Sequence, residues 1–467
     1  MRFATFLFLA VICVCGRLAA QVTVAPGTGQ SLVLRGVPSG KATTETLQLG
    51  LAEAIGRGLK YNLWALASEQ ASRAAQASRY RSLTGLLPNV VAQISETGQQ
   101  SNLKAFGFGG FPGISPIVGP FSIFDARLRA TQPILDLAAL RSLRASDENL
   151  KAVQASRQDT RDVVVLAVAS LYIQALAGQA RIETFRAQVA TSRALHQRAV
   201  DMKSAGVIPG IDVLSAQVEL QGQQQRLIFY QNEFEKQKLN LARAIGLPLG
   251  QQFSLADSLS YSPAPPLTFE QALDQAYRSR SDYHALQAQV SAAQSTKQAA
   301  QAGNLPSIAF SGDYGDTGPR IWDSHGTFSA SVGVRIPVFQ GQKVKGEILA
   351  ADAALEQRKS ELEDLRAGID YELRAAFLDL KSAGDQVQVA GSAVDLAAQQ
   401  IEQAQDRFSA GVSNSIEVVQ AQEAVATANE NYISSLYAYN LAKATLARAI
   451  GDADKSAIQF LNLGPGR

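Results

Sequence analysis

The feature that most constrains this chain is a segment that occurs twice without a gap. Residues 201–246 and 406–451 each contain a Ser-Ala-Gly-Val turn, at 204–207 and 409–412, and each ends with Leu-Ala-Arg-Ala-Ile-Gly. Because no residue is inserted or lost between these two landmarks, each position keeps its angle around the helix axis. The sequence therefore predicts one pseudo-twofold object built from two copies of a long helical hairpin.

A heptad repeat follows each turn. Its apolar positions are Val213, Leu220, Leu227, Phe234 and Leu241 in the first copy, and Val418, Val425, Tyr432, Tyr439 and Leu446 in the second. A strict seven-residue period predicts a left-handed coiled-coil seam. The preceding segments, 137–203 and 342–408, contain no proline, and each would extend about 100 Å as a helix. Helices of that length do not fit inside a compact globule.

The first twenty residues have the pattern of a secretory signal peptide. A basic Arg2 precedes the apolar run 3–15, and small residues lie just before Gln21, so the run is too short to be a membrane span. The two cysteines, Cys13 and Cys15, lie in this signal, which leaves the mature chain without a disulfide or thiolate site unless one of them carries a lipid anchor. The net charge of +2 does not favour a nucleic-acid partner.

Four shorter segments alternate apolar and polar residues with a period of two. Each is close to the nine to eleven residues of a tilted membrane strand. The alternative is an ordinary antiparallel sheet with one buried face, but the helices leave no broad apolar stripe to cover such a face. We therefore predict membrane strands, and their lipid-facing residues are Phe124, Ala126, Leu128, Ile308, Phe310, Tyr314, Phe328, Val332 and Val334.

These patterns divide the chain into six parts. Residues 1–20 form the signal, 21–45 a flexible leader, 46–249 the first structural repeat, 250–266 a Pro-rich linker, 267–451 the second repeat and 452–467 a tail. Each repeat would contain an opening helix, two strands and the long hairpin. The Gly- and Phe-rich segment 103–121, which joins the first two strands, is expected to be a disordered loop. The alternatives are that it folds over a pore mouth or lies in the outer leaflet.

The predicted strands cannot form a complete membrane structure within one chain. A sheet edge in hydrocarbon leaves backbone N–H and C=O groups unpaired, so only closed barrels are stable there. The smallest such barrels need about eight strands, and this chain supplies four. The barrel must therefore be assembled from several chains, and the helical hairpins would extend it as a tube.

The order of these elements resembles the TolC-like outer-membrane efflux protein family over essentially the whole mature chain. The resemblance rests on the duplicated series LQLGLAEAI and LTFEQALDQA, LPNVVAQIS and LPSIAFSG, TQPILD and RIPVFQGQKV, and the two turn segments. It implies a mainly helical fold in which a homotrimer shares a twelve-stranded β-barrel and continues as an α-barrel. It also implies an outer-membrane location and a role as the exit duct of a tripartite efflux or type I secretion system, with a periplasmic adaptor and an inner-membrane pump as partners.

The resemblance also transfers roles to individual residues. The adaptor would dock at the two hairpin turns, at Ala205, Gly206, Val207, Ala410, Gly411 and Val412. The periplasmic aperture would be lined by Asp212, Glu417 and Gln420, although an arginine of the family's lock is replaced here by Ser413. The alternative for Glu417 is a capping box with Asn414 at the start of a helix.

Other functional classes find less support in the sequence. His196, His284 and His325 are far apart and lack partners at metal-ligand spacing, and no nucleophile or phosphate-binding motif occurs between a strand and a helix. We therefore expect neither an enzyme nor a cofactor. The competing hypothesis is an exported coiled-coil scaffold or adaptor without channel activity.

Overall fold

The computed structural model describes residues 34–107, 115–451, 453, 460–461 and 463–465. The expected signal with its two cysteines, the first part of the expected leader, the centre of the expected loop 103–121 and most of the expected tail lie outside the described residues.

The first repeat contains β1 (Leu47–Leu49), α1 (Leu51–Tyr61), α2 (Leu63–Leu83), β2 (Asn89–Asn102), β3 (Ile117–Leu135), α3 (Leu137–Ser204) and α4 (Gly210–Ala244).

The second repeat follows the same order. Two short strands, β4 (Phe253–Leu255) and β5 (Asp257–Ser258), connect the repeats. The second repeat then contains α5 (Phe269–Ser279), α6 (Ser281–Ala302), β6 (Ser307–Gly318), β7 (His325–Arg335), α7 (Lys343–Ser409) and α8 (Ser415–Ala449), and β8 (Gly464–Pro465) ends the described chain.

The two long hairpins predicted from the heptads are confirmed. Helix α3 pairs with α4 and α7 with α8, and the ten predicted heptad residues are all buried or half-buried. The hairpins also contact each other, mainly through α3 and α8. One 18-residue window of α3 is long and apolar enough to cross a membrane, but 56% of it is buried inside the protein. This window therefore contributes to the buried core of the helical part.

Each opening helix differs from the prediction, because it is broken into two. The breaks fall at Asn62 and Arg280, where the backbone is extended. The Asn62 side chain accepts a hydrogen bond from the Trp64 N–H (2.9 Å), which starts α2, and donates one to the Ala244 carbonyl (3.2 Å). The buried Arg280 guanidinium bonds the carboxylates of Asp282 and Glu372. Tertiary partners therefore stabilise breaks that the helical pattern did not reveal.

These breaks explain the glycine that ends both copies of Leu-Ala-Arg-Ala-Ile-Gly. Gly246 and Gly451 have positive φ, at 66° and 90°. A Cβ atom on Gly451 would lie 2.6 Å from the Arg280 backbone nitrogen, and one on Gly246 would lie 2.5 Å from the Tyr61 Cβ. Each glycine thus lets the end of a hairpin pack directly against a helix break.

The four long strands form one antiparallel sheet in the order β2, β3, β6, β7. Leu128 lies opposite Tyr314, and Tyr314 lies opposite Phe328, so apolar residues of neighbouring strands share one face. The expected loop 103–121 is shorter than predicted, since β3 begins at Ile117 and Leu103–Phe106 form a 3-10 turn. The outer edges of β2 and β7 pair with no other strand in the described part of the chain.

Short segments before the first helix, between the repeats and after the second hairpin pack around the helices about half-way along α3, where the Tyr172 hydroxyl donates to the Leu49 carbonyl (2.9 Å). Strand β1 pairs with β4 and β5 with β8, and the Val37 N–H donates to the Tyr61 carbonyl. The buried Lys443 ammonium donates to Ser262 and to the Leu461 carbonyl, and burial lowers the pKa of Lys443 to about 8. Parts of the expected leader, linker and tail are therefore bound to the helical core.

We expect the substitution Gly451→Ala to destabilise the protein more than Gly411→Ala. Both glycines have positive φ, which costs roughly 1–2 kcal/mol for alanine. Only at Gly451 would the new methyl group also overlap the backbone, for a further 1–3 kcal/mol or so. Denaturant titration followed by circular dichroism would measure the two free energies of unfolding. Equal losses in the two variants would contradict the close-packing role of Gly451.

Candidate functional site

The turns that end the two hairpins have the same backbone geometry. After α3, the Val207 N–H donates to the Met202 carbonyl (2.9 Å), and Gly206 has φ 75°. After α7, the Val412 N–H donates to the Arg407 carbonyl (3.1 Å). This bond pattern ends a helix with a left-handed glycine. The structure thus brings the six predicted docking residues to two equivalent turns at one end of the molecule, and all six are exposed.

The carboxylate of Glu417 lies within its own hairpin. Its Oε1 atom is 3.2 Å from the Arg407 Nε on the last turn of α7, and its Oε2 accepts a hydrogen bond from the Ser413 hydroxyl. The Glu417 N–H donates to the Asn414 side chain (3.3 Å), so one half of the expected capping box is present. The other half is absent because the carboxylate bonds Arg407 and Ser413 instead. Gln420 lies one turn further along α8 and is exposed.

Asp212 occupies the position in the first repeat that Glu417 occupies in the second, but it makes a different contact. Its Oδ1 atom accepts a hydrogen bond from the buried Ser415 hydroxyl on α8 at 2.6 Å. This bond connects the first hairpin to the second. Among the described residues, no hydrogen bond or ion pair joins Asp212 to Glu417. The two acids predicted for one aperture therefore hold different parts of the tip.

Among the described residues, three ion pairs connect the hairpins further from the turns. The one furthest from the turns joins Arg448 on α8 to Asp159 on α3, with Nη2 to Oδ1 at 3.2 Å. Arg181 on α3 donates three hydrogen bonds to Glu430 on α8, and the shortest joins Nη2 to Oε1 at 2.8 Å.

Arg226 on α4 pairs with Glu423 on α8, with Nη1 to Oε2 at 2.9 Å. The hydrogen bond to Glu423 raises the pKa of Arg226. Arg226, Glu423 and Glu430 line a groove between α4 and α8. The wall of this groove includes the stacked rings of Phe185 and Tyr230.

An apolar core lies beneath the same end of the hairpins. Buried side chains from all four long helices meet there, and they are Leu195, Ala199, Ala216, Ala404, Phe408, Val418 and Ala421. The polar contacts of Asp212 and Glu417 therefore lie at the surface of a packed four-helix unit.

The four-stranded sheet at the opposite end has faces of contrasting chemistry. On one face, Leu128, Tyr314, Phe328, Val332 and Val334 are exposed, whereas the other predicted lipid-facing residues, Phe124, Ala126, Ile308 and Phe310, are half-buried. An apolar sheet face that its own chain leaves exposed is suited to contact lipid or another chain.

The second face of the sheet carries a network of charges and hydroxyls. Arg127 on β3 bonds Asp125 and also reaches Asp313 on β6, with Nη1 to Oδ1 at 3.2 Å. Asp313 in turn accepts a hydrogen bond from Ser329 on β7. This network crosses three neighbouring strands and is suited to a water-filled interior.

Sequence reasoning missed most of these polar partners. Arg407, Ser415 and the cross-hairpin pairs had no signal along the sequence, because their partners lie on other helices. The three histidines do not come together, and no group of at least three metal-ligating side chains lies within the residues that the structure describes.

Comparison with known proteins agrees with this architecture. The family model described as outer membrane efflux protein matches residues 62–247 and 272–452. The chain is 20% identical to outer membrane protein TolC of Vibrio cholerae, covering 73% of this chain and 80% of that protein. It is 26% identical to protein CyaE of Bordetella pertussis, covering 72% of this chain and 70% of that protein. The CmeC outer membrane channel of Campylobacter jejuni shares the fold, with a TM-score of 0.74 at 15% identity over 92% of this chain and 93% of CmeC.

Proposed function

Because the chain belongs to the outer membrane efflux protein family, we propose that three copies form one continuous conduit that works with a periplasmic adaptor and an inner-membrane pump. The protein is an outer-membrane channel that extends into the periplasm and serves as the exit duct of an efflux system. The fold is that of channel proteins, in which transport needs a path and a gate.

The single observation that carries the proposed assembly is the open four-stranded sheet. Its outer edges, on β2 and β7, have no partner strand in the described chain, and one of its faces is apolar and exposed. Each unpaired backbone group in hydrocarbon costs several kcal/mol. Three copies joined edge to edge would close twelve strands, with the apolar face toward lipid and the network around Arg127 toward the interior.

Exposed apolar side chains on the long helices support the same assembly. The large apolar residues left exposed on α4 and α7 are Ile211, Leu214, Val218, Ile228, Phe229 and Leu239, and Leu349, Tyr371, Leu378, Val389 and Leu396. Helices α3 and α8 expose only Val200 and Ile416 among their large apolar residues. Since α3 and α8 already pack against each other, α4 and α7 are the helices that would meet neighbouring copies.

The end with the hairpin turns would be the periplasmic entrance. The exposed turns at Gly206 and Gly411 present short apolar tips, Val207 and Val412, which an adaptor could contact from below. Behind them, Asp212, Glu417 and Gln420 would surround the aperture. The contact between Glu417 and Arg407 would hold the second turn in its closed position.

We expect the substitution Val332→Arg to abolish assembly in the outer membrane, whereas Ser331→Arg should be tolerated. The two residues are neighbours on β7, and the proposed barrel directs them to lipid and to the interior respectively. An arginine facing lipid near the bilayer midplane costs about 2–4 kcal/mol in each chain. The measurement is the amount of heat-stable oligomer in isolated outer membranes. Equal loss in both variants, or a wild-type protein that stays monomeric without detergent, would contradict the barrel.

We expect the substitution Glu417→Ala to raise the resting conductance of the channel in planar bilayers. Removing the carboxylate frees Arg407, and an exposed pair of this kind contributes about 0.2–1 kcal/mol, so the ratio of closed to open states should fall by up to about fivefold in each chain. Cation selectivity should fall as well, because a ring of negative charge is removed. Glu402→Ala, at an exposed carboxylate on α7, is the control. Unchanged conductance and selectivity would exclude Glu417 from the aperture.

A further inference from the structure

We propose that Arg335 forms a cationic ring inside the base of the β-barrel and that this ring favours anionic cargo, whose carboxylate or phosphate groups it would attract. The inference rests on the proposed function, because the ring exists only when three copies close one barrel. Arg335 is the last residue of β7, at the end of the sheet that continues into the helices, and it is exposed.

The register of the sheet places Arg335 on the face that would surround the interior. Thr131 lies on the same face of β3 as Arg127, four residues away, and it lies opposite Ser311 on β6. Ser311 lies opposite Ser331 on β7, and the two hydroxyl oxygens are 2.8 Å apart. Side chains alternate between the faces along a strand. Arg335, four residues beyond Ser331, therefore lies on this face as well.

The internal repeat shows which other side chains lie at the level of Arg335. A Leu-Pro pair precedes both Asn89 and Ser307, and each of these two residues begins a strand. Asn89 lies opposite Thr131 in the same way as Ser307 lies opposite Arg335. Each chain would therefore contribute these four side chains to a ring at the base of the barrel. In three copies the ring would hold three positive charges and no negative charge.

Among the described strands, no acidic side chain lies beside Arg335 on this face. The nearest such residues of β6 are Ser307 and Ala309. In the closed barrel, β7 would lie beside β2 of the next copy, which places on this face Asn89, Val91, Gln93, Ser95 and Thr97. The Asp136 carboxylate, at the end of β3, accepts a hydrogen bond from the Ala139 N–H (2.8 Å) and caps α3. Within the described chain, no hydrogen bond or ion pair involves the Arg335 side chain.

The other arginines on this face are balanced by acids. Arg127 bonds Asp125 and Asp313, and Arg129 lies directly opposite Asp313. These two arginines and two aspartates form a group without net charge. Asp313 lies opposite the residue of β7 that is six positions before Arg335, which corresponds to about 20 Å along the strand. Since this distance exceeds the Debye length of about 8 Å at physiological ionic strength, the group does not neutralise Arg335.

The chemistry of the guanidinium group indicates which cargo the ring would favour. Arginine binds carboxylate and phosphate oxygens through parallel N–H donors, and rings of arginine or lysine select anions in pores. The acidic Glu417 lies at the opposite end of the molecule, at the second hairpin turn. The two ends of the conduit would therefore carry opposite charge, and anionic groups would be concentrated at the base of the barrel.

A cysteine at Thr131 would report the charge of the ring. The only cysteines of the sequence, Cys13 and Cys15, lie in the expected signal, so T131C can be labelled selectively. The measurement is the rate at which the assembled protein reacts with two methanethiosulfonate reagents, one carrying a sulfonate and the other a trimethylammonium group. We expect the ratio of the anionic to the cationic rate to fall by about threefold or more from T131C to T131C/R335Q. The difference should shrink in 1 M salt, where the Debye length is about 3 Å.

The control for this experiment is T131C/R335K, which keeps the positive charge and should keep the ratio of rates. An unchanged ratio in T131C/R335Q would overturn the cationic ring. An equal fall in T131C/R335K would overturn it as well, because the effect would then come from the shape of the side chain. If T131C reacts with neither reagent, this face of the sheet is not in contact with water, and the barrel of the proposed function is refuted.

Ion selectivity gives a second test of the same ring. The variant R335T copies the first-repeat residue to the second repeat and removes the charge, whereas T131R copies Arg335 to the first repeat and doubles it. In planar bilayers under a KCl gradient, we expect the ratio of chloride to potassium permeability to fall by about twofold or more in R335T and to rise by about as much in T131R. The amount of heat-stable oligomer in isolated outer membranes checks that each variant assembles.

The two variants keep this test decisive. Equal permeability ratios in wild type and in each variant that assembles would contradict the ring, and so would a change of the same sign in R335T and T131R. A wild-type assembly that does not conduct would count against the proposed function instead.

Discussion

The backbone at the edges of the β-sheet is the constraint on which the rest of the structure depends. In the described part of the chain, the outer edges of β2 and β7, which have 14 and 11 residues, pair with no other strand. In hydrocarbon these N–H and C=O groups find no water, and each one left unpaired costs several kcal/mol. A single chain therefore cannot be the functional unit in the outer membrane. The apolar faces that are exposed on α4 and α7 also require neighbouring chains to cover them.

The internal repeat supplies two similar building blocks that differ at particular residues. The seams within the hairpins use the same heptad positions in both copies, because in each copy one long helix packs against its partner with the same geometry. Residues at the boundary of the two hairpins differ. Arg181 and Glu430 form an ion pair within the chain, while their equivalents are both glutamines. The duplication thus kept the helix positions, while the side chains at equivalent positions changed.

Most of the fold could be predicted because its signals are local. The period of seven gave the hairpins, the period of two gave the strands, and both are read from neighbouring residues. The breaks at Asn62 and Arg280 could not be predicted, since each depends on partners such as Ala244 and Glu372 that are far away in the sequence. The length of β3 was underestimated because Ile117 and its neighbours pair with β2 within a segment that has the composition of a loop.

The candidate site shows the same division. The turns at Gly206 and Gly411 were located from the sequence, because a left-handed glycine after a long helix has a recognisable signature. The partners of Glu417 and Asp212 were not, because Arg407 and Ser415 reach them only after the helices have packed.

The sequence by itself determined two long hairpins and four amphipathic strands, since periodicity along the chain is sufficient for these. Its resemblance to a family of channels rested on the duplicated motifs, and the match to the family model shows the membership. Only the tertiary structure decided which side chains bond across helices. It also shows why a larger residue does not fit at Gly451 and which faces of the sheet and of the long helices remain exposed. The physical reason is that burial, close approach and hydrogen bonding depend on distances in space between residues that lie up to hundreds of positions apart.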